Sequence, residues 1–229
     1  MNRGNRRNQR RPVGSLRSFL EREGLTILGQ TALCILALAI EFSAGCGSAR
    51  PSKYYQLTVP GERAAAAGQD SYPVSLMIGP LMASHLYRED RIVYSSDGQR
   101  MGTYDSQRWA EPPAEMLEQL LLQQLRASGR YRSVSSLRSG ARGDFLLRGR
   151  LYDFKEISGK TVVAKVSFEL ELQDTKTGST VWTHSYSREE PANGRDVPAV
   201  VAALDRNAHN GVAGAAASLD QYFSVHSSK

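Results

Sequence analysis

Val162-Val163-Ala164-Lys165-Val166-Ser167-Phe168-Glu169-Leu170-Glu171-Leu172-Gln173 sorts its side chains into two alternating classes. Val162, Ala164, Val166, Phe168, Leu170 and Leu172 form one apolar row. Val163, Lys165, Ser167, Glu169, Glu171 and Gln173 form a second, mostly polar row. Successive side chains of a strand point to opposite faces, so this run predicts a strand with one face in a core and one toward water. Half-burial of that kind belongs to a mainly antiparallel sheet with one face solvated. Working upstream, Phe145 to Ile157 is another long strand candidate, joined to the first through Gly159. Downstream, Asp174-Thr175-Lys176-Thr177-Gly178 turns the chain into Ser179–Arg188, which carries Val181, Trp182 and Tyr186.

Earlier strands are read at Lys53–Val59, ended by Pro60-Gly61, and at Pro73–Ile78, stopped by Gly79-Pro80. Residues 61–71 read as a loop or brief helix. Arg91–Tyr94 and Gln99–Tyr104 read as a hairpin turning at Ser96-Asp97-Gly98. Pro112 and Pro113 open a helix on which Leu117, Leu120, Leu121 and Leu125 recur at three- and four-residue steps. Ser128-Gly129 ends it. Val197, Val200, Val201, Leu204, Ala208, Val212, Ala215, Leu219 and Tyr222 repeat the helical spacing near the end of the chain. Gly211 and Gly214 predict a kink there, or two helices. The expected fold is α+β: a mainly antiparallel sheet with two main helices packed on it, preceded by a signal peptide.

The leader occupies residues 1–45. Arg3, Arg6, Arg7, Arg10, Arg11 and Arg17 make a basic start, Leu25–Ile40 is apolar apart from Gln30, and Ser43-Ala44-Gly45-Cys46 is small. Basic, apolar and small regions in that order are those of a secretory signal peptide. The 16-residue apolar run is shorter than the roughly 20 residues of a stable span, so an uncleaved anchor is the lesser alternative. Ala44-Gly45-Cys46 resembles the lipobox of bacterial lipoproteins, with Ser43 where that pattern usually has Leu. The resemblance implies that Cys46 carries acyl chains of the palmitate type, and that residues 46–52 are a short tether. Its competitor is a free thiol, or a disulfide with Cys34, which leader removal would abolish. Gly47 stands where lipoproteins kept on the inner membrane have Asp, which favours the periplasmic face of the outer membrane over the inner membrane.

Composition narrows the function. Of the net +6, residues 1–45 supply seven Arg against three Glu, leaving 22 basic and 20 acidic side chains from Cys46 onward. A nearly neutral mature domain is a poor nucleic-acid binder. His85, His184, His209 and His226 lack metal-ligand spacing. Gly159-Lys160-Thr161 lacks the earlier glycine of a phosphate loop, having Phe154 in its place, and no nucleophile elbow is present. Glu189-Glu190 beside Pro191 reads as a solvated loop. No catalytic, cofactor or metal site is expected.

Several strings carry a family resemblance: Lys53-Tyr54-Tyr55-Gln56-Leu57, Val74 to Pro80, Leu86 to Val93, Arg108-Trp109-Ala110-Glu111-Pro112, and the closing Val197–Phe223 segment. Together they resemble the auxiliary lipoprotein component of ABC-type transport systems, the family containing the small lipoprotein of the paraquat-inducible system. Met82-Ala83-Ser84-His85 and Pro113 depart from its usual pattern. The resemblance covers a domain at 53–223, followed by a tail at 224–229. It implies a non-catalytic partner of an MCE-type periplasmic protein and an inner-membrane ABC transporter that move lipid; self-association is left open. Tyr54, Tyr55, Leu57, Arg108, Trp109, Glu111 and Pro112 are its motif residues, of structural character, with Trp109 buried and its indole N–H expected to find a polar partner. The rival readings are an outer-membrane assembly lipoprotein of the lipopolysaccharide-assembly type and a periplasmic hydrolase.

Overall fold

A computed structural model describes residues 51–59 and 71–226 of the chain. The leader, Cys46 and most of its tether, the 60–70 segment and the last three residues lie outside the described residues. Eight strands and two helices follow one another: β1 (Lys53–Tyr55), β2 (Tyr72–Ala83), β3 (Arg91–Ser95), β4 (Met101–Trp109), α1 (Pro113–Ser128), β5 (Tyr131–Ser136), β6 (Phe145–Ile157), β7 (Val163–Asp174), β8 (Thr180–Pro191) and α2 (Val197–His226). Short 3-10 turns occupy His85–Tyr87 and Leu137–Ser139.

β6 is the spine. β7 pairs along one of its edges from Phe145↔Asp174 to Ile157↔Val163. Its other edge is shared: β2 takes the first half (Leu76↔Phe145 to Ala83↔Leu151) and β3 the second (Val93↔Lys155 to Ser95↔Ile157). The strand order along that side is β1-β4-β3-β6-β2-β5, while β8 closes the far side of β7. The long ladders, β6–β7 and β7–β8, are antiparallel, as is the β3–β4 hairpin; β1–β4, β2–β5, β2–β6 and β3–β6 are shorter parallel ladders. The architecture is therefore α+β on a mixed sheet.

β7 behaves as its alternation demands. Ala164, Val166, Phe168, Leu170 and Leu172 are each at most 1% exposed, and α2 packs over β7 and β8 on that side while α1 covers β2 and β5. Burying a Leu- or Phe-sized side chain contributes about 1.5–3 kcal/mol, so this row is a main source of the stability. The buried core residues among those described lie between Leu57 and Phe223, and the described residues form one compact unit.

Five details differ from the sequence reading, each for a local reason. β1 is only three residues long, because from Gln56 the chain leaves the sheet. β2 does not stop at Gly79-Pro80 but passes through a bulge there. β5 pairs with β2 only as far as Ile78, so the missing N–H of the exposed Pro80 falls where no ladder bond is required. Glu189, Glu190 and Pro191 belong to β8, where Glu189 lies opposite Lys165 and Glu190 accepts from Arg206 Nε at 2.6 Å. α2 is a single helix of 30 residues, so the tail begins after His226. β5 was missed altogether: its Tyr-Arg-Ser-Val-Ser-Ser has no apolar alternation, because it is a half-exposed edge strand.

Candidate docking site

Strands β1 and β4 bring the two most distinctive strings side by side. They form a parallel ladder with Tyr54 opposite Arg108 and Tyr55 opposite Trp109. The ladder is extended by Ala110 N–H donating to the Tyr55 carbonyl at 2.6 Å, and by the Tyr55 hydroxyl donating to Gln107 Oε1 at 2.8 Å. The Trp109 N–H donates to the Asp90 carbonyl at 2.6 Å, and Arg108 Nη1 meets Asp90 Oδ1 at 2.8 Å. Segments separated by 52 residues in the chain thus become one unit, locked from outside by the loop before β3.

Within this unit the side chains divide by task. Trp109 is fully buried and meets Phe154 edge to face with ring centroids 5.5 Å apart. Its Nε1 has no hydrogen-bond partner among the described residues, so the expected polar partner is not found. Leu57 is buried, while Tyr54 is 65% exposed. Pro112 precedes α1, whose first residue is Pro113, a position where a proline loses no helical hydrogen bond. Glu111 is exposed beside it.

Gln56, Leu57 and Val59 on one side, and Ala110, Glu111, Met116, Gln119 and Gln123 on the other, line a cleft of 220 Å³. Leu57 and Met116 give it an apolar floor; Glu111 and the three glutamines rim it. The segment that forms its wall is fastened to α2: Thr58 N–H donates to Asp205 Oδ1 at 2.8 Å, and His209 Nε2 meets the Thr58 carbonyl at 2.7 Å. Asp205 and His209 are themselves 3.6 Å apart, one helical turn from each other. Sequence reading missed this strap, since its partners stand 147 and 151 residues apart and bond to backbone atoms that leave no trace in the residue pattern.

Tyr87, within the Leu86–Val93 string, is raised to about 12 by burial, with the nearby Asp153 charge adding to the effect against a backbone hydrogen bond from Phe154. Tyr104 is raised by burial and by donating to Glu156 Oε2 at 2.7 Å. Both are neutral phenols at ordinary pH. His184 is lowered by burial and stacks on Trp182. Among the described residues no group of three or more His, Cys, Asp or Glu is placed to hold a metal ion. No described helix is long and apolar enough to cross a membrane.

The family profile of the ABC-type transport auxiliary lipoprotein component matches residues 55–214, from the paired tyrosines through most of α2. The chain belongs to that family. No curated protein matches the sequence. Among solved structures, the auxiliary lipoprotein domain is similar to protein XCC0632 from Xanthomonas campestris at a TM-score of 0.68 and 17% identity, covering 77% of this chain and 100% of that one. An uncharacterized protein matches at a TM-score of 0.59 and 16% identity, covering 74% and 99%. At such identities the likeness is one of fold. As an auxiliary component of ABC transport, the domain has transporter proteins for partners and is a membrane-associated lipoprotein.

Proposed function

We propose that this lipoprotein is a non-catalytic docking component of an MCE-type lipid transport system. In this reading acylated Cys46 holds it on the periplasmic face of the outer membrane, and the β1–β4 unit receives the periplasm-spanning MCE protein. The observation that carries the reading is the Tyr54↔Arg108, Tyr55↔Trp109 ladder, which sets an exposed tyrosine and an apolar-floored cleft at the free edge of the sheet. Four residues lie between Cys46 and Pro51, so the five Cα steps reach about 17 Å at full extension. A partner seated on β1 would therefore meet the domain close to its anchor.

Cleft size favours docking over lipid carriage. Its 220 Å³ falls below the roughly 300–1,000 Å³ of sites that enclose a small molecule, and suits a single side chain. The larger hollow of 630 Å³ between β8 and α2 is lined mostly by polar groups, among them His184, Ser185, Ser187, Arg188 and Asn210, and offers an acyl chain little.

A photo-crosslinking residue at Tyr54, compared in cells with one at Tyr152 on the open face of the sheet, tests the proposal. Adducts with an MCE-type protein or a transporter subunit, obtained from position 54 and not from 152, are expected. Adducts with an outer-membrane barrel protein instead would support the assembly-lipoprotein alternative and overturn this one. Mass spectrometry of the native protein reads the anchor separately: an unmodified thiol at Cys46 removes that part of the proposal.

A further inference from the structure

The small net charge of the mature chain hides a local imbalance. Between Arg126 and Arg150 the sequence has seven arginines, no lysine and one acid, Asp144, leaving 15 basic against 19 acidic side chains in the rest of residues 46–229. The tertiary structure gathers four of these arginines around one corner. β5 ends the strand order, so among the described residues its outer edge has no neighbouring strand. Arg126, at the end of α1, donates through Nε to the Val134 carbonyl of β5 at 3.0 Å. Arg132 projects from β5 with its side chain 58% exposed, Arg138 lies in the 3-10 turn after it at 59%, and Arg142 follows, also exposed.

Two acids reach this group. Asp144 takes Arg132 at 2.7 Å, and Glu118 takes Arg138 at 3.2 Å. Arg126 and Arg142 have no acidic partner among the described residues. At the head of the same turn Leu137 is 39% exposed, in a setting of serines and arginines.

An exposed leucine in a stretch that carries arginines and no lysine has the chemistry of a bilayer interface. Guanidinium groups bind phosphate oxygens in forked pairs, and an apolar side chain beside them gains by entering the headgroup layer. We infer that the β5 corner is a second membrane contact, in which Arg126, Arg132, Arg138 and Arg142 meet the phosphates of an anionic phospholipid surface while Leu137 enters it. The inference goes beyond the docking reading and shares with it only that the domain is held at a bilayer. Because β2 and β3 share one edge of β6, β1 and β5 both lie on the side of the sheet away from β8, and a domain touching the membrane near its tether and at this corner turns that side to the bilayer. The β8 edge is then left free.

Sedimentation of residues 47–229, which lack the lipidated cysteine and retain the whole compact unit, with vesicles isolates this contact from the anchor. Binding is expected to phosphatidylglycerol vesicles at low salt, not to pure phosphatidylcholine, and to disappear at 0.5 M NaCl. Arg126→Gln and Arg142→Gln, which break no ion pair, should each weaken it about five-fold. Leu137→Ser should weaken it further with an unchanged melting temperature. Equal binding to both vesicle types, no binding to the anionic ones, or indifference to these substitutions overturns the inference. Equally tight binding to a DNA duplex, with no effect of Leu137→Ser, overturns it too, because the corner would then be a generic anion surface. None of these outcomes depends on acylation of Cys46 or on what is captured at Tyr54.

Discussion

Gly211 of α2 lies directly against the ring of Tyr186 on β8, so close that a Cβ at this position would come within 2.8 Å of two of the ring's carbons and of Phe168. The helix is thereby seated on the sheet where Phe168 and Tyr186 stack with centroids 5.3 Å apart. Gly214, one turn on, has nothing within 4 Å of the same position. The two glycines therefore respond oppositely to one substitution. Gly214→Ala should stabilise the domain by about 0.5–1 kcal/mol through helix propensity. Gly211→Ala should destabilise it by about 1–2 kcal/mol, since overpacking outweighs the same propensity gain. Urea unfolding of the two variants checks the pair, and equal effects would refute the packing account.

Asn207 is the polar pin of the same interface. It is 1% exposed; its Nδ2 donates to the Ala164 and Arg188 carbonyls at 2.9 and 3.0 Å, and its Oδ1 accepts from the Tyr186 hydroxyl at 2.7 Å. Asn207→Ala should cost about 2–4 kcal/mol, because it takes the amide donor from two carbonyls and leaves the Tyr186 hydroxyl with only the backbone carbonyl of residue 207, 3.2 Å away. Asn207→Asp should cost at least as much at pH 7, where a carboxylate would face two carbonyl oxygens, and less at pH 4, where it can donate. Chemical denaturation of both variants at the two pH values reads the difference.

Alkaline pH should unfold the domain through its buried tyrosines. Burial raises Tyr87 to about 12 and raises Tyr131 further, the latter helped by its hydrogen bond to Asp220. Unfolded tyrosines ionise near about 10, so the unfolded chain loses protons first. Stability is then complete below that pH and falls above it, by up to about 1.4 kcal/mol per pH unit for each such tyrosine. Urea midpoints between pH 9 and 11.5 should decline, and Tyr131→Phe should flatten the decline.

Glu118 carries a signature of the same sign on the acid side. Its side chain is 5% exposed against Arg138, and burial raises its carboxyl above the ordinary range despite that guanidinium, with Glu115 adding to the rise. The folded state therefore holds this proton more tightly than the unfolded state, and stability falls as pH rises from the ordinary carboxylate value through the raised one. Glu118→Gln should remove that part of the profile. At pH 7 it should stay within about 1 kcal/mol of the parent, since losing the ion pair is offset by no longer burying a charge. A loss above about 3 kcal/mol would show that the pair is a net stabiliser.

Patterns repeated within a single element were legible in the sequence. The alternation of Val162–Gln173, the leucine spacing of α1 flanked by Pro113 and Gly129, and the turns at Asp97-Gly98 and Asp174–Gly178 all record burial or turn geometry inside a few neighbouring residues. So did the strings at Tyr54–Leu57 and Arg108–Pro112 that carry the family. What only the tertiary structure decided were relations between distant segments. It set Tyr55 beside Trp109, strapped Thr58 to Asp205 and His209, carried β2 through Pro80, kept α2 one continuous helix across Gly211, and turned a polar stretch into β5 with arginines on and beside it. These depend on backbone hydrogen bonds and on surfaces supplied by other elements, and neither leaves a periodic mark on the residues that take part.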